Sequence, residues 1–499
     1  MRRYIQNILS AGFIQPKRLA ISGPGGKLTY YQFGRVLWAF AVRMRAAGID
    51  KSSCVAIRTN QPLMGLCAIL AVAMVGARWV QANSALREKK GIAVTHFLFT
   101  AATDANFMPG TPALLIDERW FRFDPPQAVS LAPSIVGPEN DSDIWMIAQS
   151  SGSTGTPKFI ELSYANYDLR NDKTSLTHDF RPVITGSLFP VLSAPWVSYN
   201  LRTLKLLGTL VLGHDPVFLV QNNVQKLFGS PKQFDLFLER PAPADIPRIP
   251  IAHVAGATLS PGFAKRIFER FITIHNFYGS TEVGGVARNV LTTPPDDMRC
   301  IGTILSGNNI AILGENGRAL PESLEGRLAI RNNVMVGGYL DEPEATQQAF
   351  RNGWFLPGDL AFYRDGQLYL TGRVGDVINV AGSKVNVSAL EALVASYPGV
   401  REAAAHLNET PDRPPELMLL VVLDQGVKPQ DIIQPFWQML KSSTVSKNLV
   451  KGVYFRDSLP RNANGKLVRG EIAGLVDALV AWRFDFADEL DLSEAIVLN

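Results

Sequence analysis

The sequence predicts an α/β protein of more than one domain, and three observations carry this prediction. Runs typical of buried strands alternate with runs of helical periodicity, and no internal repeat stands out. The chain has 499 residues, of which 46% are hydrophobic and 19% are charged, and this length exceeds that of a single typical domain. Its C-terminal part carries strands and helices of its own. We therefore expect a large α/β part followed by a compact α+β module.

The first elements predict a βαβ unit. Residues 29–32 have the pattern of a capping box, so a helix is expected from there to residue 45. Residues 55–57 are typical of a buried strand, and residues 63–76 of the helix that packs over it. This arrangement is the usual start of a sheet whose faces are covered by helices.

The polar loop Ser150–Lys158 is the first candidate site. It lies between apolar runs at residues 144–148 and 159–162, which predict two buried strands. Glycines and hydroxyl residues allow a polyanion to approach the backbone, and the lysine supplies a counter-charge. The spacing is not that of a Walker A loop, and an ordinary Ser/Gly-rich turn remains the alternative. The loop consists of Ser150, Ser151, Gly152, Ser153, Thr154, Gly155, Thr156, Pro157 and Lys158.

The second candidate site is Asn276–Glu282, which we expect to form a turn after a short strand at residues 272–274. A strand at residues 251–254 and a helix at residues 261–271 precede it. Ligands of open α/β sheets bind at the carboxyl ends of strands, so a nucleotide contact is predicted here. A solvated turn around a buried tyrosine is the alternative.

The third candidate is Asp359, which precedes a predicted hairpin with its turn at residues 364–367. A carboxylate in this place can accept both hydroxyl groups of a ribose, as acidic residues do in dinucleotide folds. An aspartate that only stabilises a turn is the alternative.

The fourth candidate is Lys466, in the Gly/Asn-rich stretch at residues 459–469. A lysine on such a loop of a mobile domain can be moved toward a developing negative charge and withdrawn again. A free surface lysine is the alternative. Earlier in the module we predict a helix from a capping box at Ser388–Glu391 to Ser396, strands at residues 403–407 and 417–423, and a helix at residues 431–441.

Composition argues against nucleic-acid binding, membrane insertion and zinc binding. The net charge of +4 is small for this length, which argues against a nucleic-acid partner and a polybasic membrane anchor. Cys54, Cys67 and Cys300 are widely spaced, which indicates a reducing compartment and no zinc site. The longest apolar run, residues 63–77, is shorter than the roughly 18 to 20 residues that a membrane span needs. No signal-peptide core is evident, so a cytoplasmic location is expected.

Taken in order, the four stretches resemble the motifs of the adenylate-forming superfamily, which includes acyl-CoA synthetases, adenylation domains and luciferases. The usual patterns are T-S-G-[ST]-T-G-x-P-K-G, N-x-Y-G-x-T-E, T-G-D followed by G-R, and P-x-x-x-x-G-K-[IL]-x-R. The second pattern is matched at every fixed position. Ser150 replaces a threonine, Phe159 a glycine and Pro357 a threonine.

The resemblance implies two domains joined by a hinge. The large N-terminal adenylation domain would span residues 1–373, the hinge residues 374–376, and the small mobile domain residues 377–499. Gly375 stands at the pivot, where the family has aspartate or lysine. Glycine permits a large swivel but offers no side chain to hold either end state.

The resemblance also implies the reaction. ATP and Mg²⁺ would convert a carboxylic acid into acyl-AMP with release of pyrophosphate, and coenzyme A would accept the acyl group. Loading of a carrier-protein phosphopantetheine is the alternative, and a non-catalytic binding protein that retains the fold is a third. An aryl or apolar carboxylic acid is the expected small-molecule partner.

By resemblance, Lys466, Thr281 and Glu282 are catalytic, and Glu282 also holds Mg²⁺. Thr281 would contact the α-phosphate, Tyr278 would line the adenine pocket, and Asp359 and Arg373 would bind the ribose. An ordinary surface salt bridge is the alternative for Arg373. The remaining nucleotide residues would be those of the Ser150–Lys158 loop with Gly256, Ala257, Asn276, Phe277 and Gly279, and the CoA residues would be Gly382 and Lys384.

The acid pocket is predicted from what residues 189–200 contain. This region has no acidic residue, so a buried substrate ammonium would lack a partner and an α-amino acid is disfavoured. It also lacks the histidine of the family's Phe-His-x-x-G element. Trp196 and Tyr199 suggest an aryl or medium apolar acid, although both can be core residues. The predicted pocket residues are Trp196, Tyr199, Ala255, Gly256, Gly279 and Val283.

Overall fold

A computed structural model describes residues 2–89, 91–122, 137–150, 157–175, 182–295, 297–380, 383–410, 413–443, 449–461, 467–476 and 482–483. The predicted fold class is confirmed, because several mixed sheets and their helices precede a smaller α+β part. The helices are α1 (Arg2–Ile14), α2 (Tyr30–Ala46), α3 (Pro62–Met74), α4 (Ser84–Glu88), α5 (Tyr164–Ser175), α6 (Ala194–Lys205), α7 (Pro216–Gln221), α8 (Pro231–Leu238), α9 (Pro261–Phe268), α10 (Pro343–Ala349), α11 (Val387–Ala395), α12 (Pro429–Ser442) and α13 (Ala473–Val476).

The strands divide between a longer N-terminal set and a shorter C-terminal set. The first set is β1 (Leu19–Gly23), β2 (Gly26–Thr29), β3 (Cys54–Arg58), β4 (Arg78–Gln81), β5 (His96–Phe99), β6 (Ala113–Leu115), β7 (Ile144–Ser150), β8 (Lys158–Ser163), β9 (Ile184–Ser187), β10 (Thr209–Val211), β11 (Lys226–Gly229), β12 (Ile249–Ala255), β13 (Phe271–Ser280), β14 (Gly284–Leu291), β15 (Cys300–Ile304), β16 (Asn308–Leu313), β17 (Gly326–Asn332), β18 (Phe350–Arg351), β19 (Trp354–Phe355), β20 (Asp359–Arg364) and β21 (Gln367–Arg373). The second set is β22 (Val377–Val380), β23 (Ser383–Asn386), β24 (Val400–Thr410), β25 (Arg413–Leu423), β26 (Val450–Arg456) and β27 (Trp482–Arg483).

The first sheet positions the Ser150–Lys158 loop. Its strand order is β6-β5-β3-β4-β7-β8, and β3, α3 and β4 form the predicted βαβ unit with parallel strands. Residues 65–74 of α3 are buried, so the long apolar run is a core helix, as its length predicts. The capping box at Thr29 is also confirmed, because its hydroxyl and the Gln32 side chain cap each other's backbone N–H groups.

The larger sheet brings β13 to its middle. Strands β9, β11, β12 and β13 pair in parallel, whereas β13 and β14 pair antiparallel. The sheet continues through β15 to the hairpin of β20 and β21, in which Arg364 pairs with Gln367 as predicted. The carboxyl end of β13 therefore lies where the parallel part of the sheet meets the antiparallel part.

The C-terminal elements build separate hydrophobic cores. Within the described residues, the two clusters beyond residue 376 draw only on residues 380–476, and the other clusters draw only on earlier residues. Strand β24 pairs antiparallel with β25, which in turn pairs in parallel with β26.

The predicted capping box at Ser388–Glu391 is wrong, although the helix itself ends at Ser396 as expected. Helix α11 begins earlier, because the side chain of Asn386 caps it by accepting a hydrogen bond from the N–H of Ala389. Glu391 does not reach back to the cap. Its carboxylate accepts hydrogen bonds from the Ala405 N–H and from Arg469, both distant in sequence.

In the described part of the chain, none of the helices combines the length and the hydrophobicity that a membrane crossing requires.

Candidate active site

Strands β7 and β8 place Ser150 and Lys158 opposite each other. The two strands pair antiparallel, and Ser150 and Lys158 form the last pair of the register before the connecting loop. Phe159, where the family has glycine, is 1% exposed and packs in a hydrophobic cluster with residues of β3, β4 and β5. Its bulk therefore lies in the core beneath the loop. The loop residues Ser151, Gly152, Ser153, Thr154 and Gly155 fall outside the described residues.

Glu282 is the centre of a first polar group, which we call the Glu282 cluster and which contains Ser150, Lys158, Glu282 and Tyr339. Glu282 is only 5% exposed, and its Oε1 accepts a hydrogen bond of 2.5 Å from the Ser150 hydroxyl and one of 3.0 Å from the Tyr339 hydroxyl. The ammonium of Lys158 lies 4.8 Å from the centre of the Tyr339 ring. Ser150 at one end of the loop thus binds the carboxylate just beyond β13, and Lys158 at the other end lies over the ring of Tyr339, which binds the same carboxylate.

Tyr339 is a residue of this cluster that the sequence did not reveal. It lies 57 positions after Glu282, and its neighbours in sequence give no sign of a contact with that residue. Burial, with a smaller contribution from the Glu282 charge, raises the pKa of the Tyr339 phenol far above its usual value. Tyr339 therefore stays protonated and acts as a hydrogen-bond donor.

A second polar group, the Asp359 cluster, contains Tyr278, Asp359 and Arg373. Arg373 Nε donates to Asp359 Oδ1 at 2.8 Å, and the Tyr278 hydroxyl donates to Asp359 Oδ2. Burial first, and then the Asp359 charge, hold the pKa of Tyr278 well above its ordinary value. Three residues predicted to bind adenine and ribose thus lie in direct contact.

Between the two clusters the chain stays a strand to Ser280 and turns only at residues 281–283, which corrects the prediction that the whole of Asn276–Glu282 is a turn. Strand β13 continues to Ser280, and its pairing with β14 shifts register between Tyr278 and Gly279. A Cβ atom at Gly279 would lie 2.3 Å from the carbonyl oxygen of Gly284, so the strands approach too closely there for any other residue. Pairing with a strand that comes later in the chain extends β13.

Some of the predicted acid-pocket residues are core side chains, whereas others lie at the end of β12. Trp196 is 2% exposed and Val283 is fully buried, and both side chains belong to hydrophobic clusters of the core. Ala255 ends β12, and Gly256 follows it with a φ of +95°. Ala257 comes directly after this turn.

Tyr199 lies in an aromatic stack beneath the ends of β11, β12 and β13. Its ring stacks on Phe228 with ring centres 4.4 Å apart, and its hydroxyl lies 2.9 Å from Nε2 of His253. His253 stacks in turn on Phe277, at 4.0 Å. Burial raises the pKa of Tyr199 to about 12. The stack thus combines buried aromatic rings with one polar pair, Tyr199 and His253.

The segment after Arg373 is held from both sides of Gly375. On one side, Arg373 donates to the Pro357 carbonyl at 3.0 Å. On the other side, Asp376 accepts a hydrogen bond from Ser388 and lies 3.4 Å from Arg469. A Cβ atom at Gly375 would meet no atom within 4 Å.

The structure describes the C-terminal part only partly near its predicted site residues. Lys384 lies on β23 opposite Asn379 of β22. Gly382 and Lys466 fall outside the described residues. Three residues beyond Lys466, Arg469 forms a two-pronged ion pair with Glu391, at 2.7 and 2.9 Å.

A family model described as AMP-binding enzyme matches residues 13–340, more than half of the chain. Feruloyl-CoA synthase from Amycolatopsis sp is 27% identical over 484 residues, which cover 92% of this chain and 96% of that protein. Indoleacetate–CoA ligase from Aromatoleum aromaticum is 26% identical over 504 residues, which cover 93% and 96%.

Among solved structures, O-succinylbenzoate coenzyme A synthetase from Bacillus subtilis, in complex with ATP and magnesium ion, superposes with a TM-score of 0.77. The alignment is 18% identical and covers 93% of this chain and 98% of that one. At this identity the likeness shows a shared fold.

Proposed function

Because the chain belongs to the family of AMP-binding enzymes, we propose that it is an AMP-forming acid–CoA ligase. It activates a carboxylic acid as acyl-AMP with release of pyrophosphate and then transfers the acyl group to coenzyme A. Relatives named as CoA ligases, aligned over more than nine-tenths of the chain, support this reaction. ATP, CoA and the acid are then its substrates.

One observation carries the proposal: only three residues separate Tyr278, which belongs to the Asp359 cluster, from Glu282, the centre of the Glu282 cluster. Tyr278 binds Asp359, whereas Glu282 binds Ser150 at the edge of the phosphate-type loop. A nucleotide with its ribose at Asp359 would direct its phosphates along Thr281 toward Glu282 and Lys158. Both clusters thus serve opposite ends of one ATP molecule.

In the first half-reaction, a carboxylate oxygen attacks the α-phosphorus of ATP and the bond to pyrophosphate breaks. Lys158 and the loop before it would hold the departing phosphates, and Thr281 would contact the α-phosphate. Lys466 would bridge the attacking oxygen and the α-phosphate, where negative charge grows in the transition state.

Glu282 fits the role of a Mg²⁺ ligand. Its Oε1 accepts hydrogen bonds from the hydroxyl groups of Ser150 and Tyr339, and carboxylate oxygen is a ligand that hard divalent cations prefer. When bound there, Mg²⁺ would offset the negative charge of the phosphate oxygens.

We expect Tyr339→Phe to lower the rate of acyl-AMP formation roughly tenfold, because a hydrogen bond to a charged group contributes about 1.5–3 kcal/mol. The ring under Lys158 is kept, and only the donor to Glu282 is lost. Pyrophosphate release at saturating ATP measures the effect.

Tyr164→Phe is the matched control, since the buried Tyr164 hydroxyl donates to the Ala77 carbonyl at 2.9 Å, away from the site. It should lower the melting temperature and leave the rate unchanged. Equal rates for Tyr339→Phe and the unmodified protein would exclude this role of Tyr339.

In the second half-reaction, the thiolate of CoA attacks the acyl carbon and AMP leaves with the former carboxylate oxygen. We propose that the small domain, residues 377–499, rotates about Gly375 between the two steps. The rotation would withdraw Lys466 and bring Gly382 and Lys384 toward the thiol channel. The separate hydrophobic cores and the anchors on both sides of Gly375 support the boundary at residues 374–376.

Gly375→Pro is expected to uncouple the two half-reactions. Proline fixes φ near −65° and restricts the preceding residue, so rotation about the pivot is blocked. Gly375→Ala is the matched control, because open space surrounds this position. Rapid-quench measurement should show a normal burst of acyl-AMP followed by slow thioester formation for the proline variant, but not for the alanine variant. Normal turnover of the proline variant would refute Gly375 as the pivot.

We propose that the acid is an aryl or apolar carboxylate. The aromatic stack of Tyr199, Phe228 and Phe277 offers a surface for such a group, and the relatives' names contain feruloyl and indoleacetate. Trp196 and Val283 would support this surface from the core. The backbone of Ala255, Gly256 and Gly279 would form the edge of the acid pocket.

The experiment that tests the proposed function is a pyrophosphate-release screen of aryl, fatty and amino acids with ATP and Mg²⁺. CoA or a phosphopantetheinylated carrier protein is added to parallel samples. The proposal predicts acyl-CoA formation from an aryl or apolar acid. Thioester formation only with the carrier protein would favour the carrier-loading alternative, and no reaction with any acid would favour a binding protein. A cytoplasmic location remains part of the proposal.

A further inference from the structure

The side chain of Arg170, on helix α5, reaches the turn that contains Thr281 and Glu282. Its Nη1 donates to the Thr281 carbonyl at 2.6 Å, and its Nη2 donates to the Glu282 carbonyl at 2.9 Å. Nε and Nη2 also donate to the Val334 carbonyl, at 3.1 and 2.8 Å. One guanidinium thus binds three backbone carbonyls from two separate segments.

This contact fixes the orientation of two successive peptide groups. The planar guanidinium presents its N–H donors in a rigid fork, so carbonyl oxygens that bind it are held in a defined arrangement. Val336 N also donates to the Glu282 carbonyl, at 3.0 Å. Arg170 and Val336 therefore hold the backbone of Glu282, while Ser150 and Tyr339 hold its carboxylate.

Arg170 also places a positive charge behind a buried carboxylate. Burial lowers the pKa of Arg170 to about 10, and the attraction of Glu282 opposes this change. The guanidinium therefore remains charged near neutral pH.

We propose that Arg170 is a positioning residue for nucleotide activation, because it sets the geometry of Thr281 and Glu282 at which ATP and Mg²⁺ are bound. This inference rests on the proposed function. Helix α5 starts directly after β8, so the same short segment carries Lys158 at the phosphate loop and Arg170 behind the turn. The helix thereby fixes the turn relative to the loop.

Asn166 provides a matched control on the same helix. Its Nδ2 donates to the Val334 carbonyl at 3.0 Å, the carbonyl that Arg170 also binds, but no contact with Thr281 or Glu282 is recorded for it. Asn166→Ala thus weakens the attachment of α5 to the Val334 segment and leaves the turn untouched.

The test compares Arg170→Lys, Arg170→Gln and Asn166→Ala with the unmodified protein. Calorimetry measures ATP binding with and without Mg²⁺, and hydrogen exchange measures the protection of residues 281–286. For both Arg170 variants we expect the Mg²⁺-dependent gain in ATP affinity to fall by about 10- to 100-fold, as loss of a group that orients a metal ligand does. The lysine variant should lose less than the glutamine variant. Exchange should rise at residues 281–286 with Arg170→Lys and stay unchanged with Asn166→Ala.

An unchanged Mg²⁺-dependent gain in both Arg170 variants would overturn the proposal, and so would an equal loss in Asn166→Ala. If a variant melts too low for calorimetry, the exchange rates of residues 281–286 are compared with those of β3. General destabilisation raises both rates together, whereas the proposal predicts a rise at residues 281–286 alone. Measurements on the unmodified protein distinguish failure of this proposal from failure of the proposed function. If it binds Mg²⁺-ATP but activates no acid, the reaction is wrong while the role of Arg170 still stands.

Discussion

Lys466→Ala is expected to lower acyl-AMP formation by about 10²–10³-fold, because in the proposed mechanism it removes a donor that would act only on charge developed in the transition state. ATP binding and thioester formation from supplied acyl-AMP should stay largely intact. Neither of these requires a cation between the carboxylate and the α-phosphate. The loss therefore falls on one half-reaction.

Exchange of labelled pyrophosphate into ATP measures the first half-reaction, and acyl-CoA formation from synthetic acyl-AMP measures the second. Lys428→Ala, an exposed lysine of the same small domain, is the control and should behave as the unmodified protein. Loss of ATP binding in Lys466→Ala would contradict the assigned role, and so would equal loss in both half-reactions.

Glu282→Gln is expected to lower acyl-AMP formation by about 10³-fold, which corresponds to ~4 kcal/mol of charge stabilisation by a metal ion. The amide oxygen can still accept hydrogen bonds from Ser150 and Tyr339, so the fold of the turn is retained while the negative charge is lost. The Mg²⁺ concentration for half-maximal rate should rise together with the loss of rate.

Glu342→Gln is the control, since Glu342 forms an ion pair of 3.0 Å with Lys89 outside the Glu282 cluster. It should leave both the rate and the Mg²⁺ dependence unchanged. An unaltered Mg²⁺ requirement in Glu282→Gln would show that the metal ion is held elsewhere.

The parts of the fold predicted from sequence are those set by local signals. The capping box at Thr29 and the hairpin turn after Arg364 depend on side chains within a few residues of each other. The strands that flank the Ser150–Lys158 loop follow from short apolar runs. Each of these features needs only a neighbouring stretch of chain to form.

Most of the errors and omissions in the sequence prediction arise where residues that are distant in sequence determine the local structure. Asn386 caps α11 while Glu391 pairs with Arg469, so the pattern at Ser388–Glu391 is not used as a capping box. Strand β13 is an exception, because the strand that extends it to Ser280 is β14, which begins only four positions later. Tyr339 and Arg170 bind the Glu282 region across 57 and 112 positions of sequence, and no local pattern indicates such contacts.

The structure gives a physical explanation for two of the departures from the family pattern, those at Phe159 and Gly375. Phe159 is buried beneath the loop and Leu340 N donates to its carbonyl, so a bulky side chain there adds to the core. Gly375 has no side chain to hold an end state, but Arg373 and Asp376 are each anchored beside it. If the small domain rotates as proposed, these anchors would confine the rotation to the glycine.

The most direct test of an acyl-AMP intermediate is the fate of oxygen-18 from a doubly labelled carboxylic acid that the screen identifies as a substrate. The protein is incubated with the acid, ATP, Mg²⁺ and CoA, and the AMP is analysed by mass spectrometry. We predict one labelled oxygen in each AMP and one in each acyl-CoA, because the attacking carboxylate oxygen leaves with the phosphorus. Unlabelled AMP, or formation of ADP with labelled phosphate, would contradict the mechanism.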